Sequence, residues 1–454
     1  MATTPRVAWK NERKHRVPAM VDVRPLRGLK YAREAVGDLA RVVSPPHDVI
    51  SPEEQVYYHA LSPYNILQVE WGRAFPNDNH LDNRYTRSGY LLRQWRSDGI
   101  LVKDATFRYY LYQQSFYLEG RAYTRTGLIA RVRLEPLHSS AVLPHERTLS
   151  QPLDDRLNLL RATATNLSPI MCLYDDPKGQ IRELLAAVQI SQAEIHIRDA
   201  TGGRHVLSPI TQQKHIQFIH DFFRTKQLYI ADGHHRYQTA LSYREEFRAQ
   251  RCLSVNHPAN FVLMALIAMD DPGLVVLPTH RLCSGLSQAI LQALSRKNMS
   301  RSFRVQKLPA GQGSRTILKR LAASSKQCPS IVVGTAEDLW LLRLNENGRA
   351  SMQKSGHSAA WNELEVAIAQ RLVLEDLLGL SATDMTHGLT LSYTHNAHDA
   401  LQAVKMGKAQ VGILLNATPV KQMREVVQAG DIMPAKSTYF YPKLLKGLVM
   451  HALV

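Results

Sequence analysis

The segment from Ile230 to Tyr237, with the sequence IADGHHRY, holds the residue types best suited to chemistry in this chain. An apolar, strand-like run leads into it, and Gly233 lets the backbone turn sharply and approach a ligand closely. The N–H groups at the start of the helix that follows attract an anion. Arg236 offers a bidentate donor in the first helical turn, where a cation is unfavourable unless an anion neutralises it. The segment therefore predicts a phosphate or carboxylate site formed by Gly233, His234 and Arg236.

Asp232 and His235 are the candidate catalytic groups of this segment, because a carboxylate and an imidazole can both transfer protons. A plain structural turn, with Asp232 as helix cap and two surface histidines, has less weight because a cap does not need His-His-Arg after it. A metal site made of Asp232, His234 and His235 is a weaker alternative, since adjacent histidines rarely converge on one ion. Instead, we expect Asp232 to share a Mg²⁺ ion with a bound phosphate.

Two further segments place an acid or a base at a loop. His145–Thr148 (HERT) follows a strand and offers Glu146 as a base and Arg147 as a phosphate-neutralising cation. It is not a HExxH zinc motif, because position 149 is not histidine. Pro45–Asp48 (PPHD) has a rigid approach, and Asp48 could serve as a base or a metal ligand. A surface loop at the first segment and a capped turn at the second are equally compatible with the sequence.

The loop Met433–Lys443 combines polar and aromatic residues and is predicted to close over the same site. Lys436 and Ser437 supply a phosphate-binding cation and a hydroxyl group. No Gly-rich stretch precedes them, so the loop is not of the Walker type. The aromatic run Tyr439–Tyr441 favours packing over base stacking.

The secondary structure must bring these segments to the ends of strands. A strand at Gln227–Ala231 leads into the glycine turn, and the helix after it presents Tyr237, Ala240, Leu241 and Phe247 on one face. The whole pattern predicts an α/β (α+β) fold with a mixed sheet. Further strands are predicted at Arg125–Leu134, Phe261–Met269, Leu274–Leu277, Ser330–Val333, Leu339–Leu344 and Gln410–Leu415, and helices at Asp154–Thr165 and Val420–Ala429, the latter capped by Thr418-Pro419.

The chain of 454 residues is too long for one ordinary domain. We expect residues 1–20 to form a disordered basic extension. Residues 21–255 are predicted to form an N-terminal domain that carries the main motifs. Residues 256–454 are predicted to form a C-terminal domain that contributes the closing loop.

The composition predicts a cytoplasmic protein without a membrane partner. Hydrophobic residues make up 44% of the chain, yet no stretch approaches the roughly 20 apolar residues of a membrane span. The four cysteines form no CxxC pair, which argues against a zinc knuckle or a disulfide framework. The net charge of +17 makes nucleic-acid binding possible, but the charge is dispersed, so a solvated basic surface is favoured.

Six motifs in series, between about Pro25 and Val449, resemble the bacterial and archaeal family called domain of unknown function 1015. The chain has His47 where the family usually has tyrosine, and Ala435 where it usually has proline. The motifs are Pro45–Pro52, Leu143–Thr148, Ala231–Tyr237, His257–Asn260, Leu277–Arg281 and Lys436–Lys443.

The turn Asp232–Arg236 (DGHHR) is also similar to that of ParB/sulfiredoxin-like proteins. These include free-serine kinases, which phosphorylate serine from ATP or ADP. The resemblance implies a ParB/sulfiredoxin-like unit, ATP or ADP with Mg²⁺ as cofactors, and a place in serine metabolism. Sulfiredoxin chemistry itself is not expected, because no cysteine lies in or beside the turn.

Together, these features predict a nucleotide-dependent phosphotransferase that acts on a small hydroxylated metabolite such as serine. In this interpretation the glycine turn holds phosphate, and Arg147 and Lys436 neutralise charge on the transferring group. Asp48 or Glu146 takes the hydroxyl proton. The alternative is a ParB-like regulator that binds nucleotide as a switch and DNA through its basic surface. Because ligands of open α/β sheets bind at strand ends, one cleft is predicted to be lined by His145, Asp232, His235 and Arg236.

Overall fold

The computed structural model describes residues 20–137, 139–148, 150–188, 193–309, 311–381 and 390–454, which form two compact units. Of the described residues, unit 1 contains those in 20–144, 148–273 and 444–454. Unit 2 contains residues 145–147 and 274–443. Apart from Met20, the predicted basic extension lies outside the described residues, and the domain boundary predicted after residue 255 stays a prediction.

Unit 1 is built on one mixed sheet. Its strands up to residue 273 are β1 Val23–Arg24, β2 Leu29–Tyr31, β3 Leu101–Lys103, β4 Tyr109–Leu118, β5 Arg121–Arg133, β6 Val142–Pro144, β7 Thr165–Asn166, β8 Ile170–Tyr174, β9 Ile195–Arg198, β10 Arg204–Ile210, β11 Leu228–Asp232 and β12 Phe261–Ala268. Within the described residues, nine of them form a sheet in the order β6-β11-β8-β12-β5-β4-β10-β9, with β1 paired to β5.

The pairing directions of this sheet are mixed. β6 runs parallel to β11 and β8 runs parallel to β12, whereas β11 and β8 are antiparallel to each other. Every residue of β12 is buried, as expected for a continuous apolar run at the centre of a sheet. The prediction of an α/β fold with a mixed sheet is confirmed.

The helices of unit 1 are α1 Arg33–Val36, α2 Pro52–Leu61, α3 Leu67–Glu70, α4 Arg84–Ser97, α5 Ser150–Thr163, α6 Gln180–Ala186, α7 Gln213–Phe223 and α8 His234–Gln250. Helix α8 buries Tyr237 and Ala240 in the core against the sheet, and Leu241 packs on that core as predicted. The prediction was wrong for Phe247. It packs on a separate cluster with Tyr243 of its own helix and Leu157 of α5, because α5 covers the far end of α8.

Unit 2 contains a second sheet in the order β15-β17-β16-β19-β14-β18, and a two-stranded pair formed by β13 and β20. The chain then returns to unit 1, where β21 His451–Ala452 pairs with β7. The strands of unit 2 are β13 Val275–Leu277, β14 His280–Cys283, β15 Phe303–Lys307, β16 Ser330–Gly334, β17 Leu339–Leu344, β18 Leu391–Thr394, β19 Val411–Leu414 and β20 Tyr439–Tyr441. Its helices are α9 Gln288–Ala293, α10 Arg296–Met299, α11 Ser314–Ser325, α12 Glu346–Gln353, α13 Ala359–Asn362, α14 Glu365–Ile368, α15 Ala397–Lys405 and α16 Val420–Gln428, with a π-helical segment at Ala369–Glu375.

The start of α16 was predicted correctly, but its cap was not. Pro419 occupies the N-cap position, and no side chain caps the helix there. Thr418 instead donates its hydroxyl proton to the carbonyl oxygen of Ser437, at 3.0 Å. In the part of the chain that the structure describes, no helix has both the length and the apolar character that crossing a membrane would require.

Candidate functional site

A strand, a glycine turn and a long helix form the centre of the candidate site in unit 1. β11 ends at Asp232, Gly233 follows in the left-handed region with φ of 97°, and α8 begins at His234. A Cβ atom at Gly233 would lie 2.9 Å from Nη2 of Arg236, so both the backbone and the space favour glycine. Glycine at the N-cap provides no side-chain cap for this helix, and the positive end of a helix favours an anion.

Arg236 links the glycine turn to a neighbouring segment of the same unit. Its Nη2 donates to Oδ2 of Asp232 at 2.6 Å, across one helical turn. Its Nη1 donates to the hydroxyl of Ser168 at 3.0 Å and to the carbonyl oxygen of Pro169 at 2.6 Å. The guanidinium thus positions the carboxylate at the end of β11, and phosphate binding by Arg236 stays a prediction.

The two histidines of the turn differ in burial. His234 is 9% exposed, whereas His235 is half-buried. The alternative of two surface histidines is therefore wrong for His234. No three His, Cys, Asp or Glu side chains in the described residues form a metal-binding group. A Mg²⁺ ion at Asp232 would therefore draw its other ligands from phosphate and water, as Mg²⁺ commonly does.

The predicted base Asp48 lies in a short 3₁₀ helix, His47–Val49, and is exposed. Its neighbour His47 points instead to a charged group inside unit 1. Nδ1 of His47 lies 3.4 Å from Nζ of Lys446 and 3.8 Å from Oε1 of Glu70. Since the ammonium group can only donate, this contact is a hydrogen bond when the ring of His47 is neutral and carries its proton on Nε2.

Glu70, Arg156 and Lys446 form a buried ion-pair cluster that the sequence interpretation missed. Lys446 donates to Oε1 of Glu70, and Nη1 of Arg156 donates to the same oxygen at 2.8 Å. The side chains of Glu70 and Lys446 are 4% and 3% exposed. Burial alone would raise the pKa of Glu70, but the charges of Lys446 and Arg156 outweigh it and bring the pKa to about 2.

The cluster also affects the two groups that face Glu70. Burial lowers the pKa of Lys446, although its ion pair with Glu70 opposes the shift. Burial, together with the charges of Lys446 and Arg156, lowers the pKa of His47 to about 4. His47 is therefore neutral near pH 7, which agrees with its role as an acceptor for Lys446.

A cavity of about 50 Å³ lies between this cluster and the glycine turn, within unit 1. Glu70 and Arg156 of the cluster are among its lining residues, as are Arg236 and Ser168. Arg236 thus touches both the turn and the cavity. A smaller cavity of about 10 Å³ shares Glu70 and Arg156 as lining residues.

Unit 2 brings two other predicted segments together. His145 is buried, and its Nε2 lies 2.8 Å from Oγ1 of Thr438. The backbone N–H of Met433 donates to the carbonyl oxygen of His145 at 2.8 Å, and Glu146 pairs with Met433 as a parallel bridge. Arg147 is exposed. His145 and Glu146 are therefore neighbours of the 433–443 loop in space, and a ligand site shared by the two segments stays a prediction.

The 433–443 loop is held in an uncommon backbone conformation at Lys436, whose φ is 58°. Nη2 of the buried Arg281 donates to the Lys436 carbonyl oxygen at 3.2 Å, while the Lys436 side chain is exposed. Ser437 is buried and donates its hydroxyl proton to the carbonyl oxygen of Pro434. In this conformation the only proton of that hydroxyl is used within the loop, and phosphate binding by Ser437 stays a prediction.

The structure defines a mixed α/β protein in which a glycine turn joins a buried strand to a long helix beside a buried ion-pair cluster. The chain belongs to the family described as Protein of unknown function (DUF1015), whose model matches residues 23–367. No curated protein matches the chain.

Several solved structures share a distant likeness to the chain. A free serine kinase in complex with AMP has 11% identity and a TM-score of 0.33, covering 66% of this chain and 83% of its own. A conserved hypothetical protein from Pyrococcus furiosus has 13% identity and a TM-score of 0.33, covering 67% and 88%. SbnI with a C-terminal truncation, from Staphylococcus aureus, has 11% identity and a TM-score of 0.33, covering 70% and 85%. Values this low do not transfer a function to this chain.

Proposed function

We propose that this protein is a cytoplasmic, nucleotide-dependent phosphotransferase that transfers a phosphoryl group from ATP or ADP to a small hydroxylated metabolite such as serine. The observation that carries the proposal is the glycine turn of unit 1. Gly233, with its φ of 97°, starts a 17-residue helix directly after a buried strand and leaves the N-cap without a side chain. Such a helix end combines donor N–H groups with a favourable dipole for phosphate.

The residues around the turn have distinct roles in this proposal. The first-turn N–H groups of α8 bind phosphate oxygens. Asp232 would hold a Mg²⁺ ion, which would supply positive charge to the phosphate. Arg236 keeps the Asp232 carboxylate in place through the 2.6 Å bond. His235, half-buried in the first turn, is the proton-transfer group in this proposal. Arg236 is therefore primarily a positioning residue.

The remaining roles come from the sequence. Asp48 or Glu146 takes the hydroxyl proton of the acceptor, and Arg147, Lys436 and Ser437 stabilise charge on phosphate. The exposed side chains of Asp48, Arg147 and Lys436 are compatible with ligand binding from solvent. Substitution of each of these residues, followed by a phosphoryl-transfer assay, tests its role.

The test is phosphoryl transfer followed by ³¹P NMR. The full-length protein is incubated with Mg²⁺ and either ATP or ADP, together with a panel of small hydroxylated metabolites that includes serine. Asp232→Asn should reduce turnover by about 10²-fold or more, because the neutral amide no longer binds the metal or transfers a proton. Asp221→Asn on α7 is the matched control, since it removes an exposed carboxylate of the same unit.

Turnover of one metabolite that is lost in Asp232→Asn and kept in Asp221→Asn supports the proposal. Equal turnover in the wild type and Asp232→Asn contradicts the assigned site. Nucleotide binding without turnover of any acceptor, together with DNA affinity that falls steeply with salt, would favour the ParB-like regulator instead.

A further inference from the structure

The cavity between the ion-pair cluster and the glycine turn has no role in the proposed phosphoryl transfer. Its lining includes four buried apolar side chains, Leu159, Leu160, Leu167 and Val262. It also includes the charged groups Glu70, Arg156 and Arg236 and the polar residues Thr165, Asn166, Ser168 and Thr239. A ligand that suits this cavity therefore has one apolar part and one charged part.

The charged residues of the lining decide whether the ligand carries a negative or a positive charge. Two guanidinium groups and one carboxylate line the cavity, and Glu70 is already bound by both Arg156 and Lys446. Asp155 and Asp232 pair with the two arginines. The hydrogen bonds that Arg156 and Arg236 make in the described residues use three of the five N–H groups of each guanidinium. An anion can accept from the remaining N–H groups, whereas a cationic ligand cannot.

The volume limits the ligand to a few heavy atoms. One water molecule needs about 10–15 Å³ of such space, so a cavity of about 50 Å³ has room for three or four water-sized groups. A phosphate ion has polar oxygens on all sides, and the leucine and valine walls would leave some of them without hydrogen bonds. A carboxylate presents its charge at one end only.

We propose that this cavity is a binding site for a short-chain carboxylate, with the carboxylate beside Arg156 and Arg236 and the aliphatic part against Leu160, Leu167 and Val262. The site is separate from the nucleotide turn, although Arg236 lines one and positions Asp232 in the other. Binding does not depend on phosphoryl transfer, so it can be measured without nucleotide.

Thr239 provides a matched pair of variants for the test. It is a buried residue of α8 that lines the cavity, and its hydroxyl donates to the carbonyl oxygen of His235 in its own helix, at 2.8 Å. Thr239→Val keeps the shape and removes only this local bond. Thr239→Leu extends a side chain into the cavity without changing any charge.

Propionate is titrated into the full-length protein by isothermal calorimetry and ligand-observed NMR, with acetate, propan-1-ol and inorganic phosphate as comparisons. We expect about millimolar affinity for propionate, within the limit for so few heavy atoms. The affinity should stay within about threefold in Thr239→Val and fall by about tenfold or more in Thr239→Leu. Propan-1-ol, which lacks the charge, should bind about tenfold more weakly than propionate.

Melting curves establish that each variant is folded. If Thr239→Leu does not fold, Val262→Ile adds one methyl group at the same cavity and should also weaken propionate binding. The proposal is overturned if the wild type binds no carboxylate, if a folded cavity-filling variant binds propionate as tightly as the wild type, or if propan-1-ol or phosphate binds as tightly as propionate. None of these results bears on the nucleotide turnover assay, so the two proposals fail separately.

Discussion

Lys446 donates a hydrogen bond to Glu70, although 376 positions separate the two residues in the sequence. The bond joins the last segment of the chain to a short helix near its beginning. Both side chains are almost fully buried, and Arg156 and His47 complete the group around the shared carboxylate. Because buried charges are stable only when they are paired, removal of either partner would leave an uncompensated charge inside unit 1.

Removal of the Lys446 charge should destabilise the protein strongly. Lys446→Met leaves the buried carboxylate of Glu70 with Arg156 as its remaining full cation, and we expect a loss of about 3 kcal/mol in the free energy of unfolding. Urea denaturation followed by tryptophan fluorescence measures it. Lys421→Met is the control, because Lys421 is 86% exposed and pairs with Glu425 only at 3.9 Å, so its change should stay within about 0.5 kcal/mol. A change below about 1 kcal/mol for Lys446→Met would refute the assignment of a stabilising pair.

Stability should fall as the pH drops below the ordinary pKa of histidine. The folded-state pKa of His47 is about 4 against 6.5 for an unperturbed group, because burial and nearby cations disfavour its charged form. The unfolded state therefore binds more protons between these values, and stability decreases as the pH falls from about 6.5 to about 4. The slope from this residue is at most about 1.4 kcal/mol per pH unit.

The pH effect can be assigned to His47 by substitution. His47→Gln should reduce the slope of the free energy of unfolding between pH 6.5 and 4 by the contribution of this residue, as measured by urea denaturation at a series of pH values. His280 and His451, whose pKa values burial lowers to about 4 and about 3, keep their contributions in the variant. His80→Gln, at an exposed position, is the matched control and should leave the slope unchanged. The lowered pKa of Glu70 adds a loss of stability in the same direction at more acidic pH, down to about 2. An unchanged slope in His47→Gln would mean that other groups set the acid response.

The Gly233 turn should not tolerate a side chain. Gly233→Ala forces a residue with a Cβ atom into φ of 97° and places that atom 2.9 Å from Arg236. We expect a loss of about 1–3 kcal/mol in stability and weaker nucleotide binding. Gly37→Ala is the control, because Gly37 has a positive φ of 70° and open space around it, so it has the backbone cost without the contact. Calorimetric nucleotide titration and thermal melting separate the two effects. Full nucleotide affinity in a folded Gly233→Ala protein would exclude this turn as the phosphate site.

Arg236 should stabilise the folded protein even in the absence of a ligand. The sequence alone predicts almost no loss of stability for Arg236→Ala, since the substitution removes a cation from the positive end of a helix. The bonds from Arg236 to Asp232, Ser168 and Pro169 predict the opposite, a loss of about 1.5–3 kcal/mol in the ligand-free protein. Arg236→Lys should recover only part of the lost stability, because an ammonium group cannot reproduce the bidentate geometry of a guanidinium group. Melting temperatures of both variants without ligand measure it, and an unchanged value for Arg236→Ala would show that these bonds add nothing.

Local sequence signals were sufficient for much of the fold around the candidate site. An apolar run followed by glycine predicted a strand at Gln227–Ala231, and β11 is observed at Leu228–Asp232. The strand predicted at Leu339–Leu344 has the observed bounds, and that at Ser330–Val333 extends by one residue. These strands depend on residues within a few positions of one another in the sequence. The periodicity of apolar residues and their backbone preferences therefore predict them directly. The packing of the partly buried Phe247 on a separate cluster was missed, since it depends on where α5 packs.

The ion-pair cluster had no comparable signal. Glu70 lies in a four-residue helix, Arg156 in a longer helix far along the chain, and Lys446 near the C-terminus, and none of them belongs to a motif with a chemical spacing. The sequence by itself determined the glycine turn, because a left-handed residue before a helix is a local requirement that glycine meets. Only the tertiary structure decided which charges meet inside unit 1, because a buried carboxylate must be paired and its partners are chosen by packing rather than by distance along the chain.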